Sequence, residues 1–340
     1  MRYILYSIVL CLFFGCQETS TTSIPTTYQK IAGTTMGVVT YHITYQDSID
    51  YQLSLDSLMT AINKEVSTYV PSSAISRFNQ SETGIQLNGE LHFIENVKAA
   101  QLAHKRSQGH FDPTVMPLVN YWGFGYTSKD KVKAVETERI EELVRLVGMD
   151  QITLTDVEIA KPEAGIQLDF SASAKGYFVD QVALFLDSKN VDNYMVEIGG
   201  EARTKGKNEQ GNLWRLGVNT PSEDATVNEL FALIPLENEA IATSGNYRNY
   251  YTVDGITYSH TISPVTGIPE RTQLLSATIV TYECTYADAY ATACMVMGLD
   301  AAQEWVNSLE GVEGFFIYSG DQNNMQTITT AGLEGRVQQF

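Results

Sequence analysis

The sequence predicts an α+β fold. Segments of helical and of strand periodicity occur in mixed order, without strict strand–helix–strand alternation, and the stretch after residue 190 is dominated by strands. No internal repeat of fixed period is visible.

The folded part is expected to begin near Tyr28. Residues 38–45 alternate like a strand. Leu55, Leu58, Met59, Ile62 and Val66 stand at helical spacing, which predicts a helix over 55–66. A second helix is expected over 91–107, with Gly109 just past its end. A third is expected over 137–147, with Gly148 as its stop. Residues 151–160 read as a hairpin. A fourth helix over 174–186 is marked by Val179, Val182, Ala183 and Leu186. Strands follow at 194–198, 213–218 and 230–236. Asp254-Gly255 between β-rich runs signals a tight hairpin turn. A strand over 274–280 leads to a helix over 287–298. Asp300 is read as the cap of a last helix, and strands at 314–318 and 325–329 close the chain.

With 340 residues, 44% hydrophobic and 18% charged, the chain can bury a large core, in one large domain or two closely joined ones. A formal charge of −18 argues against a nucleic-acid partner, which demands a basic face. The four cysteines, Cys11, Cys16, Cys284 and Cys294, form no C-x-x-C pair, and two lie in the leader. That argues against a zinc site and a disulfide framework.

The leader has a short positive start, Met1-Arg2, then an apolar run over 3–15 too short to span a bilayer, then Cys16 after Gly15. It resembles a bacterial lipoprotein signal in which Cys16 is lipidated and begins the mature chain, although Phe13 stands where Leu is usual. An ordinary secretory signal is the alternative. Residues 1–16 are thus a signal, the Ser/Thr-rich 17–29 a flexible tether, and 30–340 the folded domain.

Four stretches carry chemistry. In ADAYATACMVMG, 287–298, Asp288 and Thr292 fall at i and i+4 on one helix face beside the small Ala291. A carboxylate and a hydroxyl so placed read either as a solvated pair or as hard oxygens for Mg²⁺ or Ca²⁺. IQLDFSASAKGYFVD, 166–180, reads as a strand, a small-residue turn and a helix whose N-terminus suits an anion. Lys175 in that first turn opposes the helix dipole, which a bound phosphate would explain; a lysine reaching solvent is the other reading. Asp169 stands close to the turn. GHFDPTVMPLVNYWGFG, 109–125, holds four aromatics, two prolines and one acid, a composition that predicts a loop over the core or a ligand. Finally His260 sits among hydroxyls before a Pro/Gly turn, structural or catalytic.

Eight segments in order, GTTMG, STYVPSSAISRFN, GHFDPTVMPLVNYWGFG, LDFSASAKGYFVD, EIGGEAR, AIATSGNYRN, SHTISPVTG and YADAYATACMVMG, resemble the ApbE family of FAD:protein FMN transferases, many of them periplasmic lipoproteins. The resemblance covers about 30–335. It implies an α+β fold related to the T-fold, with mixed sheets, packed helices and an FAD cleft between subdomains. It implies FAD as substrate and Mg²⁺, or Ca²⁺, as cofactor. Met36 and Tyr69 match positions lining the flavin site, and His110, Phe111 and Asp112 match a loop contact. Asp169 and Lys175 match contacts to FAD, and Thr261 and Ile262 match backbone beside it. Ala172 matches a carbonyl offered to the metal, with Asp288 and Thr292 as its side-chain ligands. His260 matches a histidine implicated in catalysis. Many members have Gly-Gly at Ser171-Ala172, Ile at Ser173 and Asp at Ser263; a carbonyl ligand survives the first change.

The implied reaction is Mg²⁺-dependent transfer of FMN from FAD to a Thr or Ser of a membrane redox protein, with AMP released and His260 as general base. Tyr69, Phe111, Tyr121 and Trp122 are expected to cover the flavin ring and exclude water. An FAD pyrophosphatase and a non-catalytic flavin-binding lipoprotein remain as alternatives. The place implied is the cell envelope, lipid-anchored and facing the periplasm.

Overall fold

The computed structural model describes residues 27–125, 131–222, 224–226, 229–246, 250–253, 256–270, 272–321 and 324–340. Cys16 and most of the tether lie outside them, as does the Asp254-Gly255 turn. Among the described residues no helix is long and apolar enough to cross a membrane.

The chain opens with strands β1 (Tyr28–Thr35) and β2 (Val39–Gln46), then helices α1 (Gln52–Val66) and α2 (Ala74–Gln80), strand β3 (Gly84–Gln86) and helix α3 (Leu91–Arg106). Helices α4 (Met116–Tyr121) and α5 (Thr137–Val144) follow, then strands β4 (Thr153–Leu154) and β5 (Glu158–Ala160). Helix α6 (Ala174–Ser188) precedes β6 (Tyr194–Ile198), β7 (Glu201–Lys205), β8 (Trp214–Asn219), β9 (Leu230–Leu236) and β10 (Ala240–Gly245). Next come β11 (Tyr250–Val253), β12 (Ile256–Ser259), β13 (Leu274–Thr281) and the helices α7 (Cys284–Met297) and α8 (Leu299–Asn307). Strands β14 (Glu313–Ser319), β15 (Met325–Thr329) and β16 (Gln338–Gln339) end the chain. The expected α+β class holds.

The backbone of the fold is one eight-stranded antiparallel sheet, in the order β1-β2-β6-β7-β10-β13-β14-β15. Period-two alternation divides its strands between two cores. On β10, Ala240 and Ala242 face the main core, while Ile241 faces a second. On β14, Phe316 faces the main core, while Phe315 and Ile317 face the second. The main core is covered by α1, α3, α6 and α7. The second is closed by the small β16-β9-β8 sheet. Each fully buried Phe or Ile stabilises the fold by about 1.5–3 kcal/mol relative to exposure. A third, smaller cluster joins α4, α5 and the β11–β12 hairpin through Leu118, Trp122, Ile140 and Tyr258.

Four expectations need correction. The loop over 109–125 contains a helix, α4, because Pro117 falls at its N-terminal end, where a missing N–H costs nothing. Residues before the 171–173 turn form no strand beyond an isolated bridge, Val115 with Gln167. They are held instead by side chains: Asn79 bonds both backbone groups of Leu168, and the buried Lys161 donates to Phe78 and Ile166 carbonyls. Helix α7 begins at Cys284, one turn earlier than its sequence suggests, because a distant carboxylate caps it. Asp300 does not cap α8. Gly298, at φ 78°, stands in that position and ends α7 as well, leaving Asp300 in the first turn.

Candidate active site

A cleft of about 500 Å³ opens between the main core and the small α4–α5–β11–β12 cluster. One wall comes from the 169–175 turn, the end of β10 and helix α7. The other comes from 110–125 and the segment after β12.

The first wall rests on a close crossing of α6 and α7. A side chain at Gly176 would place its Cβ 2.2 Å from the Cys284 carbonyl, so only glycine allows this approach. The two helices cap each other. Asp180 on α6 accepts the N–H groups of Cys284 at 3.0 Å and Thr285 at 2.8 Å, the orphan donors that open α7. Asp288 on α7 accepts the Gly176 N–H at 3.1 Å, an orphan donor of α6.

Asp288 is buried at the cleft floor, with Oδ1 3.8 Å from Lys175 Nζ. Lys175 bonds Glu201, the first residue of β7. Burial pushes the Glu201 carboxyl up to about 7; Lys175 pulls against that shift and the Asp288 charge adds to it. Burial raises the Asp288 carboxyl too, opposed by Lys175 and the Gly176 N–H. For Lys175, burial acts downward, but the two carboxylates outweigh it and keep the ammonium charged. The cation that opposes the helix dipole is therefore explained by two carboxylates within the protein, without a phosphate.

Asp288, Thr292 and Ala172 line this same wall. Ser244 of β10 joins them, its hydroxyl 3.1 Å from that of Thr292. A carboxylate and two hydroxyls make an all-oxygen donor set, which fits Mg²⁺ or Ca²⁺ and not a thiophilic metal. Among the described residues there is no cluster of three His, Cys, Asp or Glu that would suit a transition metal. Asp169, partly buried at the turn, accepts the Ser171 N–H and hydroxyl at 2.9 Å each, and burial raises its carboxyl.

On the opposite wall, His110 Nδ1 lies 2.8 Å from the Ser107 carbonyl. That carbonyl only accepts, so the hydrogen is on Nδ1 and Nε2 is the atom that can meet a ligand. Asp112 lines the cleft and also braces the loop that carries it. Its carboxylate accepts from the Thr114 N–H at 2.8 Å, the Met149 N–H at 3.0 Å and His104 at 3.1 Å, so it fixes the loop. That carboxylate is also the main reason the His104 imidazole titrates above its ordinary value. Thr261, Ile262 and His260 complete the wall. Ser263 accepts the Thr266 N–H and holds the turn.

The aromatic cover differs from expectation. Trp122 is fully buried, stacks on Tyr258 at 4.9 Å and donates to the Gly267 carbonyl at 2.8 Å. Tyr121 packs edge-on against it, and neither lines the cleft. Phe111 and Phe124 do line it, and Tyr69, 75% exposed, stands at the mouth. Phe124 sits 6.4 Å from the His260 ring and lies under the Lys131 ammonium at 4.1 Å.

Of the thirteen residues matched to flavin, metal or catalytic positions, Met36 alone falls outside the cleft lining. It occupies the β1–β2 turn at φ 50° and lines a separate hollow with Asp56 and Asn63. The other twelve converge. The sequence reading did not single out Glu201, Ser244 or Phe124. Each lies inside a motif already visible, EIGGEAR, AIATSGNYRN or the aromatic stretch, but no local spacing ties it to Asp288 or His260.

The family model described as "ApbE family" matches residues 33–316. The chain is 38% identical over 296 residues to the FAD:protein FMN transferase of Vibrio cholerae, covering 85% of each. It is 37% identical over 289 residues to that of Haemophilus influenzae, covering 81% of this chain and 82% of the relative. The solved flavin transferase ApbE from Vibrio cholerae matches with a TM-score of 0.80 at 34% identity, over 92% of this chain and all of the other.

Proposed function

The chain belongs to the ApbE family, and from that premise we infer that it is an FAD:protein FMN transferase whose cleft brings a protein hydroxyl to the pyrophosphate of FAD. The observation that carries the reading is the meeting in one cleft of the oxygen donors Asp288 and Thr292, the Lys175 ammonium and His260.

Asp288, Thr292 and the Ala172 carbonyl, with Ser244 beside them, would hold Mg²⁺; Ca²⁺ suits the same oxygens. Such a cation neutralises charge on the pyrophosphate oxygens as the anhydride bond breaks. Lys175 adds a positive charge on the same wall. A Thr or Ser hydroxyl of a redox-protein acceptor attacks the phosphorus nearer the flavin. The new bond is a phosphoester, the bond broken is the anhydride, and AMP leaves with its electron pair. His260 takes the hydroxyl proton, a role suited to an imidazole near neutral pH. Phe111, Phe124 and Tyr69 are the rings available to the isoalloxazine.

With Trp122 turned into the core and Tyr121 packed against it outside the cleft lining, the cover over the cleft is thinner than the sequence implied. Slow FAD hydrolysis to FMN and AMP therefore accompanies transfer. The leader ending at Cys16 supports placement as a lipid-anchored envelope protein facing the periplasm.

Incubation with FAD and Mg²⁺, with and without a domain bearing a Thr acceptor, tests the function by AMP release and in-gel flavin fluorescence. Transfer requires the acceptor to become fluorescent and AMP release to quicken with it. His260→Ala should slow labelling by roughly 100-fold or more. Equal AMP release with and without acceptor, and an acceptor that stays dark, would overturn transfer in favour of hydrolysis.

A further inference from the structure

Strand β7 presents alternate side chains to the helix pair: Arg203 reaches Asp180 at 2.7 Å, and Glu201 reaches Lys175. Glu201 is 2% exposed and Asp288 3% exposed. Lys175 is hydrogen-bonded to Glu201 Oε1, whereas Asp288 Oδ1 stands off at 3.8 Å. The second Glu201 oxygen, Oε2, is buried with no hydrogen-bond partner among the described residues. The turn before Glu201 leaves room for the lysine stem only because it carries no side chain there: a Cβ built on Gly199, at φ 65°, would lie 3.2 Å from Lys175 Cδ.

One ammonium stands between two buried carboxylates, so with all three groups ionised the side chains sum to one negative charge, −1 −1 +1. A charge left unbalanced away from water is costly unless something positive joins it. Were Glu201 neutral, Lys175 would be free to close the gap to Asp288 and cancel it. We propose that Glu201 is a positioning residue that holds the Lys175 ammonium off Asp288, so that the Asp288 carboxylate stays open to a divalent cation. The proposal rests on the reading of Asp288 as a cation ligand.

The charge sums order the variants. Glu201→Gln brings the group to zero, Lys175→Met to two negative charges, and the double variant back to one. The full chain is titrated with Mn²⁺ at pH 8 without FAD, and free Mn²⁺ is read by EPR. Glu201→Gln should bind Mn²⁺ roughly tenfold or more weakly. Glu201→Asp, which keeps the charge, should retain most of the affinity. Adding Lys175→Met to Glu201→Gln should restore binding, which a merely structural loss would not permit. Unchanged binding in Glu201→Gln, with binding lost in Asp288→Ala, overturns the Glu201 assignment alone. So does a double variant that binds no better than Glu201→Gln. Unchanged binding in Asp288→Ala overturns the cation reading itself, and the proposal with it.

Discussion

Asp288 is bonded to the backbone of Gly176 through one carboxylate oxygen, at 3.1 Å, while its other oxygen faces Lys175 at 3.8 Å. One side chain thus closes the end of α6 and offers an oxygen to the cleft. These two duties separate by substitution. Asp288→Asn keeps an acceptor for the Gly176 N–H, so stability should change little, while Mg²⁺-dependent FMN transfer falls by roughly 100-fold or more. Asp288→Ala should lose transfer and also about 1–3 kcal/mol of stability, through the unpaired N–H. Full transfer activity in either variant, measured after EDTA and Mg²⁺ re-addition, refutes the assignment.

Thr292→Val removes a neutral donor and not a charge. It should weaken Mn²⁺ binding less than Asp288→Asn does, since the Ser244 hydroxyl at 3.1 Å remains on the same wall. Side-by-side titrations with Mn²⁺ decide this, and the reverse order is the contrary result.

Gly176→Ala should separate the two helices. Its Cβ would meet the Cys284 carbonyl at 2.2 Å and the Thr285 nitrogen at 2.8 Å, both backbone atoms that no rotamer change can move. The expected loss is about 2–3 kcal/mol, seen as a lower urea midpoint. An unshifted midpoint contradicts the close crossing.

Lys161 predicts a pH dependence. It is 4% exposed, donates to three backbone carbonyls and meets no carboxylate among the described residues, and burial lowers its ammonium from 10.5 to about 8. Below pH 8 both folded and unfolded chains carry the proton, so the penalty for burying the charge is fully present. Between about 8 and 10.5 the folded chain sheds the proton first, so stability rises with pH. The rise is on the order of 3 kcal/mol. Urea midpoints of the native chain should climb across that window relative to Lys161→Met; a constant difference is the outcome against it.

Anchoring is tested by feeding cells a palmitate analogue. Label should appear on the native chain and vanish in Cys16→Ser; label that persists in the variant rules out lipidation at that cysteine.

What the sequence disclosed, and what it concealed, follows the range of the interactions. Helix α1 and the strands at 194–198 and 230–236 were legible because their own periodicity carries their buried faces. The start of α7 was not legible, since Asp180, more than a hundred residues earlier, caps it. The segment 166–170 looked like a strand because it is apolar and extended, but Asn79 and Lys161 hold its backbone where a ladder would. Within the site, Asp288 and Thr292 showed themselves through i, i+4 spacing on one helix. Glu201 could not, because its bond to Lys175 is made across two elements. Trp122 misled for the converse reason: an aromatic inside a ligand-lining stretch was turned inward by Tyr258 and the Gly267 carbonyl.

The mutual capping of α6 and α7 also makes the site depend on contacts between distant parts of the chain. Asp288 to Gly176 and Asp180 to Thr285 close loops of 112 and 105 residues, among the slowest kinds of contact to form because so much chain entropy is lost before they reward it. Until both helices meet, neither has its end satisfied and Asp288 has no fixed direction. Competence for chemistry therefore depends on contacts that only the complete tertiary fold supplies. A chain in which α6 and α7 have not met holds every residue of the site without the geometry that brings them together.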